Sequence, residues 1–195
     1  MLNKDILIQV LKKLLEKAKE SHDELNSIDG KIGDGDLGIT ILHGLEEINN
    51  TIGKFTDDMG HNFMICSQAF VKKSGSSFGT LVAFSFMNIS KLLKGKNSCN
   101  HEEIIKIFET ALNTITERGK TNLGDKTIAD SLSFIIKKLQ NERRYSVALK
   151  NATSDALINF KGKKIKIGRA RMFEDKTKDL DDPGMYAFYL LCSKF

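Results

Sequence analysis

The sequence of 195 residues contains one proline and no tryptophan, and aromatic residues make up 8% of it. Average usage of about 5% would give roughly ten prolines, so few proline-marked turns or strand edges are expected. Three cysteines, Cys66, Cys99 and Cys192, share no metal-ligand spacing, and an odd number argues against a closed disulfide framework. A reducing, cytoplasmic compartment is expected. No segment approaches the roughly 20 apolar residues of a membrane span, and the opening Met1-Leu2-Asn3-Lys4-Asp5 has no apolar signal core. Neither secretion nor a membrane partner is therefore expected. A basic stripe is also lacking: net charge is +5, but the cations are interleaved with acids, as in Glu16-Lys17-Ala18-Lys19-Glu20. That pattern reads as a solvated helix face more than as a nucleic-acid groove, so no nucleic-acid partner is expected.

Helical periodicity is abundant. Ile6, Val10, Leu11, Leu14, Leu15 and Ala18 recur at helical intervals over residues 5–26, with Asp5 available as the cap. Comparable patterns occupy about 39–53, 60–73, 79–94, 101–118, 127–143, 145–160 and 183–194, each bounded by Gly, Asn, Ser or Asp. Period-two alternation is confined to Lys163 to Ile167, and a lone strand makes no sheet. The chain reads as all-α with about eight amphipathic helices, in one domain over residues 1–195. Phe63, Met64, Phe70 and the run Leu81 to Phe86 are apolar around much of their helices, which predicts central placement. Asp182-Pro183-Gly184 supplies an N-cap and a first-turn proline for the last helix.

Four connections between these helices carry chemistry. The first, Asp29-Gly30-Lys31-Ile32-Gly33-Asp34-Gly35-Asp36-Leu37-Gly38, places three carboxylates in a glycine-rich turn. At about 4 Å each like-charged pair repels by roughly 4 kcal/mol at an effective dielectric of 20, so convergence calls for a cation. Oxygen ligands without Cys or His favour magnesium or calcium. An EF-hand is excluded, because counting from Asp34 puts Gly38 and Leu45 where a ligand and a glutamate belong. The plain alternative is a solvated helix cap. The second connection, Lys72 to Thr80, offers hydroxyls and amides ahead of an apolar helix that could hold an anion, and equally reads as a flexible linker. The third, Gly119 to Thr127, nearly matches a P-loop but inserts Asp125 before Lys126-Thr127 and follows a helix where a P-loop follows a strand. Phosphate contact by another geometry stays open there. The fourth, Gly168 to Gly184, has too little periodicity for a helix and contains Arg169, which could pair with a phosphate in bidentate fashion or be an ordinary surface arginine. The four histidines, His22, His43, His61 and His101, suggest no nucleophilic triad.

Taken in order, these four connections resemble the L subunit, the nucleotide-binding subunit, of bacterial dihydroxyacetone kinase. The family pattern of Asp, a short spacer and Ile-Gly-Asp-x-Asp-x-Gly is matched by Asp29, Ile32-Gly33, Asp34, Asp36 and Gly38; Gly-Asp-Lys-Thr stands unchanged at Gly124 to Thr127. Gly-Arg-Ala and Asp-Pro-Gly are present at Gly168 to Ala170 and Asp182 to Gly184. The chain departs from the family at Leu37 (usually His), Thr40 (Asn), Lys72-Lys73 (Gly-Ala), Ser76 (Pro) and Arg171-Met172 (Ser-Tyr).

The resemblance implies a closed barrel of eight antiparallel helices with the nucleotide in the loops at one rim. It implies that Asp29, Asp34 and Asp36 hold two magnesium ions. Leu37, Gly38, Ile39, Thr40, Lys73, Ser74, Gly119, Thr127, Ile128, Asp182, Pro183 and Gly184 would line the ADP or ATP site, with Arg169 both binding nucleotide and acting in catalysis. It further implies transfer of the γ-phosphate to a triose or ketose on a separate K subunit. Recharging by a phosphohistidine protein of the phosphotransferase system is one phosphate source in the family, and ATP exchange is the other. A homodimer is compatible with the sequence. The alternative function is an adaptor that keeps the fold and lacks turnover.

Overall fold

The computed structural model describes residues 1–195. Eight α-helices follow one another: α1 (Lys4–Asp29), α2 (Leu37–Thr51), α3 (Met59–Lys73), α4 (Ser77–Leu92), α5 (His101–Gly119), α6 (Ile128–Leu139), α7 (Tyr145–Phe160) and α8 (Pro183–Cys192). Asn3, rather than Asp5, caps α1, accepting the Ile6 amide at 3.0 Å. Asp5 lies in the first turn, where its charge complements the helix dipole. Asn100 and Thr127 form capping boxes with Glu103 and Asp130 at the starts of α5 and α6. Asp182 caps α8 ahead of Pro183, as its sequence predicts, accepting the Met185 amide at 2.9 Å.

Each helix packs on its neighbours in the chain, and α8 returns to pack on α1, which closes the all-α ring. At this seam the Tyr186 hydroxyl donates to Glu24 at 2.6 Å, and the Lys194 ammonium donates to Glu20 at 2.9 Å. The connections alternate between two rims. One rim holds residues 30–36, 74–76, 120–127 and 161–182; the other holds 52–58, 93–100 and 140–144. The only strand pairing, Leu2 with Cys99 and Asn3 with Ser98, ties the N-terminus to the second rim.

The interior is apolar and continuous across the first four helices, where a cluster of 23 buried residues includes Leu25, Ile48, Met59, Phe63, Phe70 and Leu93. Met64 and most of Leu81 to Phe86 are only partly buried, so central placement holds for Ala83 and Ser85 but not for the whole run. Phe84 instead lies under the Arg118 guanidinium, 3.6 Å from its ring centre. Lys163 to Ile167 is not a strand: Ile165 is buried beside Ile32 and Ala170, while the Ile165 and Lys166 amides bond to Thr177 Oγ1 and the Asp125 carbonyl. The alternation records one docked face without a sheet partner. Residues Arg169–Asp179 form 3₁₀ turns broken at Glu174, where a non-helical segment was expected. Cys66, Cys99 and Cys192 are free and buried, and burial raises each thiol pKa to about 11 or 12. No helix is long and apolar enough to cross a membrane.

Leu93, fully buried at the second rim, supplies a test of this packing. Leu93→Ala should lower unfolding free energy by about 2–5 kcal/mol, read as a lower urea midpoint with an unchanged slope.

Candidate functional site: a carboxylate-lined cleft at one rim

The four connections on the first rim enclose a cleft of ≈ 830 Å³, within the usual size range of small-molecule sites. Its polar wall begins where α1 ends. The Gly33 amide bonds back to the Asp29 carbonyl at 2.6 Å, and Asp29 Oδ2 accepts the amides of Gly35 and Asp36 at 2.9 and 3.1 Å. A side chain at position 33 would collide with the Asp29 carboxylate, which explains the glycine there. The resulting turn brings one oxygen each of Asp29, Asp34 and Asp36 within 4.8 Å of one another.

Asp36 occupies the N-cap position of α2 but makes no capping hydrogen bond. The solvated-cap reading therefore lacks the bond that would define it. Burial, and then the neighbouring Asp34 and Asp29 charges, raise the Asp36 pKa, while Arg169 opposes them. Arg169 bonds to Asp34 at 2.5 Å, with both side chains largely exposed. Gly168 positions this arginine with φ near +70° and ψ near −162°, a conformation open essentially to glycine. The apolar link between the two loops is Ile32, which packs with Ile165 and Ala170 beneath Arg169. Ile32 belongs to the Ile-Gly-Asp motif of the first connection, but nothing local in the sequence shows this packing.

Across the cleft, Ser76 caps α4 by accepting the Gly79 amide at 3.1 Å. Thr40 donates to the Ser76 hydroxyl at 3.2 Å, and Ser74 lies 3.4 Å from it. Thr40 and Ser74 thus stand behind the wall, which is formed here by Gly75, Ser76, Ser77 and Phe78. Lys73 is exposed at the end of α3 and does not line the cleft. Gly38 and Ile39 also lie behind it: the Ile39 amide is held by Asn26 Oδ1 at 3.1 Å. Leu37, Gly119, Thr127, Ile128, Asp182, Pro183 and Gly184 do line it, together with Asp29, Asp34, Asp36 and Arg169. Phe78, Leu81 and Ile115, which sequence reasoning missed, join Ile128 in an apolar wall between α4, α5 and α6.

The near-P-loop segment is wired differently from a phosphate cradle. Asp130 accepts the Gly124 and Thr127 amides at 2.7 and 2.9 Å, so those donors are already satisfied. Lys126 is buried beneath residues 163–180 and does not reach the cleft. Among the histidines, His101 links Tyr145 Oη and the Leu139 carbonyl at the opposite rim, a structural joint.

Comparison with known proteins gives this arrangement its class. The DAK2 domain model matches residues 31–195, and the chain belongs to that family. Relatives of the dihydroxyacetone kinase L-subunit type include the ADP-binding subunit DhaL of the PEP-dependent dihydroxyacetone kinase 1 of Listeria innocua. It is 30% identical over 190 residues, covering 97% of this chain and 93% of the relative. The corresponding Escherichia coli subunit is 26% identical over 171 residues, covering 82% and 80% of the two chains. The fold matches the crystal structure of the dihydroxyacetone kinase of C. freundii with a TM-score of 0.78 at 19% identity, over 100% of this chain and 35% of that enzyme. The same enzyme in complex with AMP-PNP and Mg2+ gives 0.76 at 20% identity, over 97% of this chain and 33% of the enzyme. The chain therefore spans about a third of the length of these solved enzymes.

Asp182 provides a pH test of the cleft wall. Burial outweighs the Met185 and Gly184 amides and the Lys126 charge, raising its pKa from 3.8 to about 7. A carboxyl with a raised folded pKa holds its proton more tightly when folded, so its contribution to stability declines as pH rises from about 4 to about 7 and then levels. In Asp182→Asn this dependence disappears. Urea unfolding between pH 4.5 and 7.5 should show wild-type stability declining relative to the variant as pH rises.

Proposed function

We propose that this chain is the nucleotide-binding subunit of a dihydroxyacetone-type kinase. It holds ADP or ATP with two magnesium ions in the rim cleft and passes the γ-phosphate to a triose or related ketose on a separate K-type subunit. The observation that carries this reading is the convergence of three carboxylates, within 4.8 Å, on a cleft shared with the starts of α4 and α6. The all-oxygen donor set fits magnesium, and Asp36 is free of the capping bond that would otherwise occupy its side chain. Bound magnesium would neutralise phosphate charge during transfer.

The chain's own residues divide the remaining work. Asp29, Asp34 and Asp36 bind the ions, and Arg169 supplies a guanidinium at the same edge. Thr127, Ser76 and neighbouring backbone groups border the polar part of the cleft, while Phe78, Leu81, Ile115 and Ile128 offer an apolar surface for the base. Thr40, Ser74, Gly38 and Ile39 act from behind the wall, and Lys73 has no nucleotide role in this reading. No residue of the cleft is assigned as a base for a sugar hydroxyl, which accords with an acceptor carried on another subunit. A phosphohistidine protein of the phosphotransferase system is the proposed source for recharging bound ADP, in a cytoplasmic setting. The L. innocua and E. coli relatives are named as PEP-dependent kinase subunits, which supports that source.

A ligand that binds only the folded state at about 100 times its dissociation constant adds roughly 2.7 kcal/mol. Saturating ADP with magnesium should therefore raise Tm by roughly 5–10 °C, chelator should reverse the rise, and Asp34→Asn should not show it. An equal shift in Asp34→Asn would remove the metal assignment.

Turnover tests the division of labour. The isolated chain should not phosphorylate dihydroxyacetone with ATP. A cognate K-type subunit should restore triose phosphate formation, and Arg169→Ala should lower it by about 10²-fold or more. Turnover by the chain alone would overturn the two-subunit reading, and nucleotide binding without turnover in the mixture would favour the adaptor.

A further inference from the structure

Lys126 is 1% exposed, and its backbone has a φ of 62°. A left-handed conformation is uncommon for a residue with a side chain, and a buried lysine is rarer still. Its ammonium donates to three backbone carbonyls, those of Lys163 at 2.9 Å, Thr177 at 3.0 Å and Leu180 at 2.6 Å. These bonds use all three of its protons. Burial lowers the Lys126 pKa, while the charges of Asp181, Asp182 and Asp179 support the ammonium.

The acceptors are main-chain atoms at both ends of one segment, and Arg169 lies between them. A bond to a carboxylate fixes a side chain; bonds to carbonyls fix the backbone itself. Thr177 strengthens the same joint, accepting the Ile165 amide at 3.0 Å and donating to the Glu174 carbonyl at 2.7 Å. From this frame Gly168 turns the chain outward and Arg169 reaches Asp34.

We propose that Lys126 is a positioning residue, a buried three-point clamp that sets the backbone of residues 163–180 and thereby aims Arg169 at the carboxylate cluster. This rests on the nucleotide reading given above. It also gives the lysine of Gly-Asp-Lys-Thr a task beneath the cleft, remote from any phosphate.

Lys126→Met retains bulk and removes all three donors. The test follows amide hydrogen exchange across residues 163–180 without nucleotide, and the affinity for ADP with magnesium by calorimetry. Exchange should rise selectively in that segment, and affinity should fall about tenfold or more. In an Arg169→Ala background, Lys126→Met should cost little further affinity, because the lysine acts through the arginine. Leu93→Ala, which destabilises the opposite rim, should change neither readout for the segment nor the affinity.

Unchanged exchange in 163–180, or additive losses with Arg169→Ala, would overturn the proposal. If Lys126→Met fails to fold, Lys126→Gln, whose two N–H donors cannot serve all three carbonyls, must show the same selective exchange and the same non-additivity, or the clamp is refuted. Failure of the wild-type chain to bind ADP with magnesium would instead defeat the nucleotide reading, leaving the exchange result to decide whether the clamp exists.

Discussion

Neighbouring helices in this ring are antiparallel, and that constraint places every second connection on the same rim. The turns after α1, α3, α5 and α7 must meet there, although they are scattered through most of the chain. Each can then specialise without disturbing the others. The first gathers carboxylates, the second presents a capped helix start, the third a helix start whose amides are satisfied internally, and the fourth an arginine. The apolar core lies between the rims, so changes to the loops leave its packing largely intact.

Convergence of like charges is the cost that the cleft must meet. Three carboxylates within a few ångströms are unfavourable in any protein environment. Two backbone amides on Asp29 and the Arg169 guanidinium on Asp34 offset part of it. Asp36 has no such hydrogen bond, and burial, then the Asp34 and Asp29 charges, raise its pKa against the Arg169 charge. An all-oxygen donor set of this kind is the chemistry that the proposed magnesium reading requires.

The helices were legible because their apolar spacing is local, and so were Asp182-Pro183 and the aspartate cluster, whose spacing lies within one turn. The cap at Asn3 was misread because two capping residue types stand close together, and only the Asn3 side chain bonds to the Ile6 amide. Lys126 was illegible for a different reason. Beside a glycine and a threonine it looks like a phosphate lysine, whereas its actual partners at 163, 177 and 180 come from distant sequence. Ile32 was likewise hidden, since its meaning depends on Ile165 and Ala170. Ser74 lies in the expected loop and Thr40 in the first turn of α2, yet hydrogen bonding turns both toward Ser76 and away from the opening.

The seam between α8 and α1 carries a consequence for the order of assembly. Apart from lesser contacts of α2 with α4 and α8 and of α6 with α8, the remaining helix contacts join elements adjacent in sequence, and such contacts form with little loss of chain entropy. The seam joins the two ends, with Tyr186 meeting Glu24 and Lys194 meeting Glu20, so it bears the longest loop closure in the molecule. Asp34 lies near one end of the chain and Arg169 near the other. The aspartate turn is local to α1 and α2, but its meeting with Arg169 depends on the closed ring.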